Sequence, residues 1–282
     1  MRKMSYMIIT RGKLVTAAVL LLAVAFVLTA VSANRPAVSA SASKRLLPIY
    51  CTEQPEKTIS ISFDAAWGAE DTQMLIDIMA EYDVKATFFV VGEWVDKYPD
   101  SVKALHDAGH EIMNHSDTHP HMTNLSREDM CKEINACNDK IEAITGVRPI
   151  LLRPPYGDYN NALIEVLDEM GMYGIQWDVD SLDWKGLSAP EITKRVTSKV
   201  TSGSIVLFHN AAEHTPEALP DIIKTLKEDG YQFVKISEQI YRENYTIDHE
   251  GRQHPAATET ESLPASQDAT AASPKAKAAV QY

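Results

Sequence analysis

Between residues 58 and 236 the chain switches repeatedly between short apolar runs and longer amphipathic ones, and this alternation most constrains its fold. Strand patterns fall at 58–63, 86–91, 110–114, 150–152, 174–177, 204–208 and 232–236. Helix patterns fill the gaps, at about 71–82, 94–108, 126–145, 160–170, 189–201 and 216–229. Local signals agree. Ser126 with Asp129 three residues on reads as a helix N-cap, and Gly109, Gly146, Gly171 and Gly230 sit where helices should stop. Strands separated by helices must run parallel, with the helices covering the sheet as an open sheet or a barrel. Seven such strands favour an α/β fold of the distorted (β/α) barrel kind, short of the usual eight.

The flanks read differently. Arg2, Lys3, Arg11 and Lys13 precede an uncharged apolar run from Leu14 to Val31, followed by the small-residue stretch Val31-Ser32-Ala33. Residues 1–33 are therefore expected to be a signal peptide or an N-terminal membrane anchor. The basic residues would stay in the cytoplasm and the rest of the chain would face outward, either anchored or secreted. Residues 34–55 read as a linker, 56–245 as one folded domain, and 246–282, rich in Ala, Thr, Ser, Pro and Glu, as a disordered tail.

An apolar share of 45% over 282 residues suffices for a sizeable core. A net charge of −12 argues against nucleic acid as a partner, and no protein partner is predicted. Cys51, Cys131 and Cys137 are odd in number and fit no zinc spacing; the last two, six apart on a helix pattern, point away from each other. All three are expected to be inert thiols.

In a β/α barrel the chemistry sits at the C-terminal ends of the strands. Asp64 follows the first strand pattern here, His115 and His119 the third, and Arg153, Tyr156 and Asp158 the fourth. Asp178, Asp180, Asp183 and Trp184 follow the fifth, and His209 the sixth. Two histidines four apart suit a shared metal ion; His121 beside them reads as solvated. Asp64, emerging from the alternating Ile59, Ile61 and Phe63, can serve as a general base. His209 can protonate a leaving amine, with Asp183 or Asp180 orienting it. Arg153 can pair with the base aspartate, and Tyr156 and Trp184 can floor a sugar site or simply pack.

Five segments together resemble the polysaccharide deacetylases of the NodB-homology type, carbohydrate esterase family 4, over roughly residues 56–240. They are Thr58-Ile-Ser-Ile-Ser-Phe63-Asp64, His115-Ser-Asp-Thr-His119-Pro120, Arg153-Pro-Pro-Tyr156-Gly157, Asp180-Ser-Leu-Asp183-Trp184 and Leu207-Phe-His209, in the family's order. The resemblance implies hydrolysis of N-acetyl groups on amino sugars of a cell-wall glycan, with peptidoglycan as the target. It implies Asp64 as catalytic base, Arg153 as its tether, His209 as general acid and Asp183 as the acid's carboxylate partner. It further implies His115 and His119 as ligands of a divalent metal, zinc or another, and Tyr156, Trp184 and Leu207 as substrate-binding residues. The Phe-Asp-x-x-Trp-Gly form of the first motif, with the N-terminal apolar segment, looks like the sporulation-associated, membrane-anchored branch.

One position departs from the pattern. The first motif normally carries a second aspartate, the third metal ligand, where this chain has Ala65. The alternative expectation is accordingly a catalytically impaired glycan-binding or sporulation morphogenetic protein that keeps the fold.

Overall fold

The structure, a computed structural model, describes residues 44–256 together with 11–12, 15–16, 19–20 and 22–24. Residues up to Lys44 form a unit separate from the folded body that starts at Arg45. Most of the expected N-terminal segment and most of the expected tail lie outside the described residues. Among the described residues no helix is long and apolar enough to cross a membrane.

The strands are β1 (Cys51–Thr52), β2 (Thr58–Ala65), β3 (Thr87–Val90), β4 (Glu111–Asn114), β5 (Leu151–Leu152), β6 (Tyr173–Gly174), β7 (Val179–Asp180), β8 (Ile205–His209), β9 (Gln232–Phe233), β10 (Tyr245–Ile247) and β11 (Arg252–Pro255). The helices are α1 (Thr72–Glu81), α2 (Gly92–Lys97), α3 (Pro99–Asp107), α4 (Arg127–Thr145), α5 (Asn161–Glu169), α6 (Ala189–Thr197), α7 (Thr215–Glu228) and α8 (Ile236–Gln239). Seven strands form one curled parallel sheet in the order β6-β5-β4-β3-β2-β8-β7, and β9 pairs with the start of β2.

β2 is the axis of this sheet, and its sequence explains why. Ile59, Ile61, Phe63 and Ala65 share one face and pack under the helices in the main apolar cluster. Ser60 and Ser62 share the other face with Asp64; fully buried, they donate to the carbonyls of Val234 and Val206. Small hydroxyl side chains fit a narrow interior and leave no polar atom unpaired there. Phe63 stacks on Phe88 of β3 at 4.8 Å and on Phe208 of β8 at 5.5 Å. The register that aligns these rings also sets Asp64 opposite His209, one residue further along each strand. Because side chains alternate, slipping that pairing by one residue would turn Asp64 out of the interior.

Several boundaries move from those expected. The helix pattern at 94–108 is two helices broken at Tyr98, because Pro99 has no N–H to continue the ladder. The fifth strand pattern is met only by the two-residue strand Tyr173–Gly174, beyond which Ile175 forms a single bridge to Ile49. β7 is two residues long, too short for any periodicity to reveal. A separate sheet, β1-β11-β10, draws on both flanks. Ile49 and Cys51, within the expected linker, are buried, and Arg252–Pro255, within the expected tail, is a strand; ordered structure therefore extends past both ends of 56–245. Ser126 caps α4 by accepting from the Asp129 N–H, and Gly146 ends that helix at a left-handed φ of 72°. All three cysteines are free.

Candidate active site

A cavity of about 510 Å³ opens at the C-terminal ends of the strands. Asp64, His115, His119, Tyr156, Trp184, Leu207 and His209 all line it. Arg153 and Asp183 stand directly behind it, each hydrogen-bonded to a lining residue.

Asp64 is 6% exposed, and Arg153 is fully buried. The Arg153 Nη1 donates to Asp64 Oδ1 at 2.8 Å, and Nη2 donates to the Gln176 carbonyl at 3.2 Å. The guanidinium also lies 4.2 Å over the Phe89 ring and 5.5 Å from the Trp177 ring, so aromatic faces replace part of its lost hydration. Burial opposes charge on Asp64, but the Arg153 guanidinium, foremost among the groups that favour the anion, helps hold its pKa below the usual carboxylate value.

His115 follows β4 and is 2% exposed. Its Nδ1–H donates to the Arg153 carbonyl at 2.7 Å, which fixes the tautomer and leaves Nε2 unprotonated, 3.5 Å from Asp64 Oδ2. His119 sits on a turn held by small polar residues. Asn114 Oδ1 accepts from the Ser116 N–H, and Ser116 Oγ accepts from the His119 N–H. Ser116 and His119 both adopt left-handed φ, 66° and 60°, which lets the chain double back and bring the two rings to 4.9 Å. Burial lowers both pKa values, that of His119 to about 4, so both imidazoles are neutral at physiological pH.

Neutral imidazoles are what a metal ligand requires, and His115 has its tautomer fixed as well. Two of them are half of a tetrahedral set. Among the described residues no group of three or more His, Cys, Asp or Glu could hold a metal ion. Ala65 is fully buried in the apolar cluster and offers no donor. The pair therefore suits an ion completed largely by water, not a closed three-ligand centre.

His209 ends β8. Its Nδ1–H and backbone N–H both donate to the Asp183 carboxylate at 2.8 Å. That carboxylate also accepts from Thr215 Oγ1 and the Trp184 N–H. Four donors fix Asp183 and leave Nε2 as the free nitrogen of His209. Burial opposes charge on this ring, yet the Asp183 hydrogen bond and the nearby Asp64 and Asp180 raise its pKa overall. Asp183, rather than Asp180, is the partner; Asp180 lines the cavity and accepts from the Leu182 N–H. Asp178 is elsewhere, bonded to Ser204 and the Ile205 N–H.

Two residues at the rim have a larger part than their sequence context suggests. His121 is exposed but not merely solvated: it stacks on Tyr156 at 4.2 Å and 20°, anchored by Asp158 at 3.2 Å. Trp67 stands 6.5 Å from the His119 ring and 6.1 Å from the His209 ring. Its placement three residues after Asp64, in the turn leaving β2, was the available signal.

Residues 52–175 match the family model described as polysaccharide deacetylase. Over 193 residues the chain is 38% identical to the peptidoglycan-N-acetylmuramic acid deacetylase PdaC of Bacillus subtilis, covering 68% of this chain and 41% of that protein. It is 36% identical to the peptidoglycan-N-acetylglucosamine deacetylase PgdA of Listeria monocytogenes over 216 residues, covering 74% of this chain and 46% of that protein. The chain thus spans less than half the length of these two relatives. A solved structure from Bacillus anthracis, described as a family 4 carbohydrate esterase pseudoenzyme, superposes with a TM-score of 0.66 at 32% identity, covering 75% of this chain and 73% of that one.

Proposed function

The chain belongs to the polysaccharide deacetylase family, and on that premise we propose that it is a hydrolase removing N-acetyl groups from amino sugars of peptidoglycan. The carrying observation is that Asp64 and His209 face one cavity from register-paired strand ends, each locked by a buried partner of the opposite function: Arg153 behind the base, Asp183 behind the acid. An anionic carboxylate and an imidazole with a raised pKa are the protonation states that base and acid need at neutral pH.

In this reading Asp64 takes a proton from the water that attacks the acetyl carbonyl carbon. As the C–N bond breaks, His209 delivers its Nε2 proton to the departing nitrogen. The products are acetate and a free sugar amine. His115 and His119 would hold a divalent ion, zinc or another, which when bound polarises the acetyl carbonyl. Tyr156, Trp184 and Leu207 would bound the sugar. We assign residues 1–33 the role of directing the folded body outward, as a cell-wall substrate requires.

A second reading, a glycan binder without turnover, is favoured by Ala65 alone, because it removes the carboxylate that would complete the histidine pair. One experiment separates the two. The chain is incubated with peptidoglycan and with N-acetylglucosamine oligomers while bound metal, free acetate and new primary amines are measured. Equimolar acetate and amine support the hydrolase; glycan binding by folded protein with neither product supports the binder.

A further inference from the structure

We infer that Glu133 is a positioning residue: from α4 it holds the turn that brings His119 against His115, and so sets the geometry of the histidine pair. Its consequence for a metal rests on the role proposed above for that pair; its effect on the turn does not. The turn has little reason to keep its shape unaided. Ser116 and His119 both take left-handed φ, which side chains of L-residues disfavour. Such a conformation persists only where the surroundings over-determine it.

The four backbone N–H groups from Ser116 to His119 all end on side chains. The outer two are served locally: Asn114 Oδ1 accepts from Ser116 at 2.7 Å, and Ser116 Oγ accepts from His119 at 3.0 Å. The middle two, those of Asp117 and Thr118, both donate to Glu133 Oε2, at 3.0 and 2.9 Å. Thr118 Oγ1 donates to Glu133 Oε1 at 2.9 Å. One carboxylate thus takes every donor offered by the two residues between the left-handed positions.

Other groups grip the turn by its acceptors. The Gly92 and Glu93 N–H groups of α2 donate to the carbonyls of Ser116 and Asp117 at 3.0 and 2.9 Å. A Cβ on Gly92 would meet Asp117 Cα at 3.0 Å, so the start of α2 and the turn touch backbone to backbone. Lys140, two helical turns after Glu133 on the same face of α4, reaches Asp117 Oδ1 at 2.6 Å and Asp96 Oδ2 at 2.7 Å. None of these can accept from the Asp117 and Thr118 N–H groups. Asn114, which fixes Ser116, is itself held by α4, donating to the Ile134 carbonyl and to Asn138 Oδ1 at 2.9 and 2.8 Å. A helix that contributes no lining residue to the cavity therefore decides where His119 stands.

The test is zinc binding to the full chain by calorimetry, for the parent, Glu133→Ala, Glu133→Gln and Glu128→Ala, counting only the binding that His119→Ala abolishes. Glu133→Ala is expected to weaken it by about 10- to 100-fold, the usual cost of removing a group that orients a ligand. Glutamine can keep all three contacts, its carbonyl oxygen accepting both N–H groups and its amide donating to the Thr118 hydroxyl, so Glu133→Gln should retain most of the affinity. Glu128, exposed on the same helix and paired with Lys132, is the charge control, and its loss should change nothing. A loss in Glu133→Gln as large as in Glu133→Ala would assign the effect to charge, and equal affinity in all four proteins would remove any effect; either overturns the inference. Amide hydrogen exchange without metal is the second readout. Asp117 and Thr118 should exchange about tenfold faster or more in Glu133→Ala, at the parental rate in Glu133→Gln, with the β4 amides unchanged in both. A parent that binds no zinc through His119 would remove the metal reading and leave exchange to decide: acceleration confined to the turn upholds Glu133, while unchanged or chain-wide acceleration overturns it.

Discussion

Arg153 donates to Asp64 at 2.8 Å from a position with no solvent exposure, so this carboxylate is held by a fully buried cation. The same residue accepts from His115 through its backbone carbonyl, joining Asp64 and His115 through one side chain and its main chain.

Removing this cation strands a buried carboxylate. Arg153→Leu is expected to destabilise the fold by about 3–5 kcal/mol, the usual cost of breaking one side of a buried pair. Asp64 would then be left to burial, which raises its pKa. Its depressed folded value contributes stability above the unfolded carboxylate pKa, and that stability is lost as pH falls through the folded value. The variant should therefore unfold at higher pH on acid titration than the parent. Urea melts from pH 3 to 7 check this; parallel curves would show that Arg153 does not set the Asp64 charge.

Asp183 is expected to govern the alkaline side. The His209–Asp183 pair raises the His209 pKa, so its contribution is complete below the unfolded histidine value and is lost as pH rises through the folded one. An acid that must be protonated loses activity over the same window. Asp183→Asn should move the alkaline limb of kcat/KM to lower pH and reduce kcat by about 10²-fold or more. An unmoved alkaline limb would assign it to another group.

Ala65→Asp tests the incomplete histidine pair through stability. The new carboxylate enters a fully buried position, so Tm should fall in the presence of a chelator. Added zinc should restore it, raising Tm more in the variant than in the parent, because an ion bound only by the folded state stabilises that state. Equal zinc shifts in the two proteins would separate position 65 from the histidines.

His121 is expected to act on substrate binding through Tyr156. His121→Ala removes one face of the stack and should raise KM roughly two- to tenfold, with a smaller change in kcat. His121→Phe keeps an aromatic face and should return KM towards the parent value. Steady-state kinetics on a glycan oligomer decide it; a loss confined to kcat would contradict this role.

Much of the site could be read from sequence because it is tied to strand ends. Asp64, His115, Arg153 and His209 each close a run whose apolar pattern marks a strand, and the parallel fold brings such ends to one rim. What stayed hidden depends on loops and on chain-distant pairing. β1 and β11 are two and four residues long and meet across two hundred positions, so neither carries a period. The contact of Trp67 with His119 and His209 arises from a turn fixed by Asn210 and Trp94, neither adjacent to it in sequence. His121 stacks on Tyr156, which holds a left-handed φ of 61° that its residue type does not announce.

The most direct test of the central claim is acetate release from peptidoglycan by the parent chain, by Asp64→Asn and by His209→Ala, each shown to be folded by circular dichroism. Release by the parent, reduced by about 10²-fold or more in both variants, is the predicted result. A folded, metal-supplied parent that releases no acetate, or release that persists in both variants, would contradict it.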